Sequence, residues 1–146
     1  MGVLLAACGD SEERPSLPKT TPTITLSADP TLEPQRRREL EDYQVQLRVV
    51  HRTLSDIWEG LEQANTAQCG QTYAIPSPSI FDPNAPIEGE LGQAAANLRQ
   101  ASDLWSAECE LRRFTVPPEV IEEGLRWVRS AGDALARAES ALANQP

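Results

Sequence analysis

The chain has 146 residues, a formal net charge of −9 and a hydrophobic fraction of 40% that leans on alanine. That is enough for one domain of about 110 residues with a small core behind a polar front stretch. The acidic balance excludes a broad basic surface for nucleic acid, and no run of 18 apolar residues is present to span a membrane.

The chain opens on Leu5-Ala6-Ala7-Cys8-Gly9. An apolar residue and two small ones before a cysteine resemble the lipobox of bacterial lipoproteins. The resemblance implies that residues 1–8 are the remnant of a signal peptide and that Cys8 is lipidated. Cys8 would then be the mature N-terminus, anchoring an extracytoplasmic protein to the bacterial membrane. Only Gly2 to Ala7 separate Met1 from the cysteine, without Lys or Arg, whereas a full signal has a basic start and 7–15 apolar residues. A start codon assigned too far downstream accounts for the difference; an incidental apolar start on a cytosolic chain is the alternative. Gly9 in place of an aspartate leaves an outer-membrane destination open in a two-membraned cell.

Residues 9–33 read as a disordered tether. Pro15, Pro18, Pro22 and Pro30 are interspersed with Ser, Thr, Asp and Glu, and such a stretch cannot bury enough surface to offset its ordering entropy. The bundle domain is expected over 34–146.

A first helix is predicted from Pro34 to Ala67, with proline in the first turn, where its missing N–H costs nothing. Leu40, Tyr43, Leu47, Val50, Leu54, Ile57, Leu61 and Ala64 recur at alternating spacings of three and four, the signature of an apolar helix seam. Gly70 is a plausible stop. Arg36, Arg37 and Arg38 fall in the first turns, where the helix dipole disfavours cations. They either meet anionic lipid or an acidic partner, or form a solvated helix start diluted by Glu39, Glu41 and Asp42. Residues 70–85 are not helical, because Pro76, Pro78 and Pro83 break the period. A loop this long either hosts a binding surface or travels, and Tyr73, Ile75, Ile80 and Phe81 give it side chains with which to pack on the way.

A second helix is predicted from Pro86 to Arg112, capped by Asn84, with Ile87, Leu91, Ala94, Leu98, Ala101 and Trp105 as its stripe. Gly89 and Gly92 mark fraying or a close crossing of the loop. The third helix, from Pro118 to Ala143, carries Ile121, Leu125, Val128, Ala131, Leu135, Ala138 and Leu142. Three amphipathic helices make an all-α three-helix bundle. Arg52/Asp56, Arg99/Asp103 and Arg129/Asp133 each sit four apart, a spacing that allows a weak ion pair.

With Cys8 lipidated, Cys69 and Cys109 remain, and an oxidising compartment favours pairing them. Two free buried cysteines are the alternative. Both lie near the ends of their helices, so the bridge requires helices one and two to run parallel. Helix two rises about 35 Å from Ile87 to Cys109, and residues 70–85 can cover roughly 50 Å, so the irregular stretch becomes a crossover. Trp58, Trp105 and Trp127 then fall at similar heights and are expected in one aromatic layer, as core filling or as the lining of an apolar ligand pocket.

Nothing in the chain points to catalysis. His51 is the only histidine, Cys69 and Cys109 lack zinc spacing, and no nucleophile elbow or phosphate loop is present. No cofactor or metal is expected. The reading is a lipid-anchored helical interaction or structural module with an unknown envelope protein as partner. The alternatives are a binder of a small apolar ligand at the tryptophans and a cytosolic helical adaptor.

Overall fold

The computed structural model describes residues 32–63, 69, 74–77, 81–111 and 115–145. They form three helices: α1 (Pro34–Glu62), α2 (Pro86–Leu111) and α3 (Pro118–Ala143), with no strand among the described residues. The fold is the expected all-α three-helix bundle. Each helix begins on a proline, which supplies a helical φ and has no N–H to leave unpaired. α3 ends at Ala143 as predicted, whereas α1 ends at Glu62, five residues short of Ala67, with Gln63 as its cap; Gly70, Arg112, the lipobox, Cys8 and the tether as far as residue 31 lie outside the described residues. Leu32, ahead of the helix, packs against the core.

Pairs of contacts at opposite ends fix the topology. Arg36 at the start of α1 meets Glu88 at the start of α2, and Trp58 late in α1 meets Trp105 late in α2. These two helices are therefore parallel. Arg37 donates to the Leu142 carbonyl near the end of α3 (3.2 Å), and His51 lies beside Val128, so α3 runs antiparallel to both.

The core is divided by residue size. α2 and α3 share the most extensive packing, and both bury alanines: Ala94, Ala95 and Ala101 on one, Ala131, Ala134 and Ala138 on the other. Small side chains let helix axes approach, because interaxial distance follows the residues at the contact. α1 contributes the bulk, with Leu40, Tyr43, Leu47, Leu54 and Trp58 all buried. Val50, Ile57 and Leu61 flank this stripe as half-buried residues, and Trp58, absent from the predicted seam, is one of its fully buried members. On α2 and α3 every predicted stripe residue is buried except Ile121, which is half-buried.

The described part of the crossover, 74–77 and 81–85, passes along the first turns of α1 and α2. Tyr43 donates its hydroxyl to the Pro76 carbonyl (2.9 Å) and meets the Phe81 ring edge-on at 5.1 Å. Tyr73 and Ile80 lie outside the described residues. Gly89 marks a close crossing: a Cβ there would sit 3.0 Å from the Pro83 carbonyl oxygen. Asp82, rather than Asn84, organises the start of α2. Its carboxylate accepts from the Asn84 N–H (2.9 Å), and Glu88 reaches back to accept from the Asp82 N–H (2.7 Å).

Candidate functional site

The bridge end of the bundle carries the residues with the most chemical character. Cys69 and Cys109 form a disulfide with their Cα atoms 5.5 Å apart, within the range such bridges need. The pairing follows from the parallel course of α1 and α2, which brings the chain after α1 to the last turn of α2. Cys109 is half-buried and Cys69 is exposed.

Beneath the bridge, Trp58 and Trp105 meet edge to face with centroids 6.0 Å apart, a geometry that sets the positive ring edge of one against the negative face of the other. Trp127 does not join them. It stands at the margin of α3, under the Arg126 guanidinium at 5.2 Å, with its indole N–H directed at Glu123. The expected layer of three tryptophans is thus a pair. The reason is helical phase: Gly124 and Val128 take the inward positions of α3, and Trp127, one residue before Val128, is rotated about 100° away from it. Gly124 faces Trp58 directly, and a Cβ there would overlap the indole. A glycine completes the layer in place of the third ring, and Trp58 is fully buried, so among the described residues the pair is packed core. Trp127 instead lines a shallow polar groove with Gln93, Asn97, Ser130, Asp133 and Arg137.

Among the described residues, three buried polar atoms of this region, Trp58 Nε1, Trp105 Nε1 and Glu108 Oε2, have no hydrogen-bond partner. An unsatisfied buried polar atom costs about 1–3 kcal/mol.

His51, the single histidine, has a structural place. Its ring lies over Gly132, and its Nε2 is 3.1 Å from the Val128 carbonyl. A carbonyl only accepts, so Nε2 carries the proton. Among the described residues no cluster of three or more His, Cys, Asp and Glu gathers as a metal site.

The arginines at the start of α1 divide between tasks that composition did not reveal. Arg36 pairs with Glu88 at 2.8 Å and with Glu39 at 3.1 Å, and lies over the Phe81 ring. Burial would raise the Glu88 carboxyl, but hydrogen bonds from Arg36 and the Asp82 N–H outweigh it and hold it below the usual carboxylate range. The bond to Glu88 in turn raises the Arg36 guanidinium. Arg37 pairs with Glu41 and caps α3 through the Leu142 carbonyl. Only Arg38 is fully exposed among the three. Two of the three are thus engaged within the bundle.

No protein-family model, curated protein or solved structure matches this chain.

Proposed function

We propose that the chain is a lipid-anchored, extracytoplasmic helical module of the bacterial envelope, whose work is binding or scaffolding rather than catalysis. The observation that carries the reading is the Cys69–Cys109 disulfide. Structural disulfides belong to oxidising compartments and are rare where thiols are kept reduced, so the bridge and the lipobox-like Leu5-Ala6-Ala7-Cys8 point to the same side of the membrane. With Cys8 lipidated and the other two cysteines joined, all three cysteines of the chain are accounted for. No helix among the described residues is long and apolar enough to cross a membrane, so in this reading attachment falls to the lipid. A polar tether of about 25 residues would then let the bundle reach an envelope protein partner.

Intact mass spectrometry tests the reading on protein expressed from its own locus and recovered from membranes. The expected product begins at Cys8, carries a diacylglyceryl group and gains two daltons on reduction. A soluble, unmodified chain with two free thiols would sink the proposal and leave a cytosolic helical adaptor in its place.

A further inference from the structure

α1 carries a second stripe on the face opposite the core. Arg38, Asp42, Val45, Val49, Arg52 and Asp56 follow one another at spacings of four, three, four, three and four, and every one is exposed. At about 100° per residue this places all six within a strip centred roughly 180° from Leu40, Leu47 and Leu54. Val45 and Val49 are 61% and 64% exposed, two of the three large exposed hydrophobics among the described residues.

The charges of the strip have no ion-pair partner among the described residues. Among the described residues, the ion pairs of α1 draw on Arg36, Arg37, Arg48, Glu39, Glu41 and Glu62. Arg38, Asp42, Arg52 and Asp56 belong to no ion pair there. The Arg38/Asp42 and Arg52/Asp56 spacings allow pairing along the helix, but each runs Arg before Asp, the orientation the helix dipole disfavours.

The strip is inversely symmetric in charge about Leu47. Val45 and Val49 lie two residues on either side of that point, Asp42 and Arg52 five, and Arg38 and Asp56 nine. Reversing the helix therefore sets valine on valine and every charge on its opposite. From this complementarity we propose that the outer face of α1 is a homodimer interface, two copies meeting antiparallel about a two-fold axis at Leu47. Arg38 of one copy faces Asp56 of the other, Asp42 faces Arg52, and the valines close the centre.

An isologous contact needs this self-complementarity, since residue i must suit residue j in both directions. A parallel pairing would set each charge against itself, and like charges across an interface are costly. The charges thus select the orientation, while two valines per copy supply modest apolar area. The strip is about 27 Å long and narrow, so the interface falls below the roughly 1,200 Å² of stable complexes. The association is weak, with a Kd between about 1 μM and 1 mM, and it weakens with salt. This inference needs neither the lipid anchor nor an oxidising compartment.

Sedimentation velocity on the full chain from about 10 μM to 1 mM tests it. Wild type is expected to dimerise. Arg52→Asp alone and Asp42→Arg alone each place like charges together and are expected to weaken dimerisation at least tenfold. Their equimolar mixture, in which opposite charges face again, regains the dimer. The double variant Asp42→Arg/Arg52→Asp also regains it as a homodimer, and only in the antiparallel orientation. Both positions are exposed, and helical circular dichroism with a retained two-dalton reduction shift verifies the fold of each variant. A wild type monomeric throughout, single variants that dimerise as well as wild type, or a double variant that stays monomeric would overturn the proposal. So would a wild-type monomer whose valine strip binds a different chain.

Discussion

At the scale of single residues, α3 makes room for α1 by omission. Gly124 lies under Trp58 and Gly132 under His51, so the largest side chain and the only histidine of α1 rest on bare backbone. Elsewhere in a helix interior, replacing glycine by alanine gains about 1 kcal/mol. At Gly124 the sign reverses, because the added methyl overlaps a rigid, fully buried indole in a close-packed layer. Gly124→Ala is expected to destabilise the protein by about 2–3 kcal/mol in urea unfolding. The cost should shrink when Trp58→Phe is combined with it, a non-additivity that a double-mutant cycle reads directly. An unchanged unfolding midpoint in Gly124→Ala would show that the indole does not rest there. Sequence spacing alone offered no sign of this contact, since a glycine inside an amphipathic helix reads only as a weakness. Trp127 gives the converse lesson. Its height along the bundle was readable and its phase was not, because one residue of offset turns a side chain from core to margin.

At the scale of the helix, the start of α1 is held by two arginines that lock it to both neighbours. The Arg36–Glu88 pair joins the parallel starts of α1 and α2, and Arg37 joins α1 to the end of α3. Glu88 is the acidic centre of this junction and is held below the usual carboxylate range. A carboxyl depressed in the folded state contributes stability that is fully present above its unfolded value and is lost as pH falls through its folded value. Its contribution should therefore be complete above about pH 5 and fade below about pH 4. Glu88→Gln is expected to lower stability by about 1–2 kcal/mol at neutral pH. The difference from wild type should close on acidification, as thermal unfolding across a pH series will read. A gap that stays constant with pH would assign the loss to packing instead. The expected Arg52–Asp56, Arg99–Asp103 and Arg129–Asp133 pairs do not form; Arg129 is instead 4.0 Å from Glu62 on α1. Spacing shows which charges could meet along one helix, and tertiary neighbours decide which do.

At the scale of the whole molecule, the bridge and the crossover explain each other. α1 and α2 run parallel, so the chain must return the length of the bundle between them, and the disulfide fastens the end from which it departs. Cys69 and Cys109 are 40 residues apart, and closing a loop of that size removes denatured-state freedom equivalent to about 4 kcal/mol in the chain-entropy model. Cys109→Ala is expected to lower the stability read from urea unfolding by up to that amount, and reduced wild type should unfold at nearly the same midpoint as the variant. Equal midpoints for oxidised wild type and the variant would mean that the bridge contributes nothing to the folded state. α1 and α3 dock through large residues over glycines, α2 and α3 through alanines, and α1 and α2 through the tryptophan pair, an ion pair and the disulfide.

The sequence by itself determined the three helices, their proline starts and nearly all of the buried stripe, because a 3.6-residue period and proline chemistry act locally. It also pointed to the topology on the condition that Cys69 and Cys109 pair, since that bridge and the reach of the intervening loop imply parallel first and second helices. Only the tertiary structure decided which of three tryptophans meet, which glycines receive side chains, and where Arg36 and Arg37 find their partners. Those outcomes depend on the rotation of each helix about its own axis. The apolar stripe fixes that rotation only approximately, and the final setting, which buries Trp58 and leaves Ile57 half-buried, is set jointly by side chains far apart in the chain.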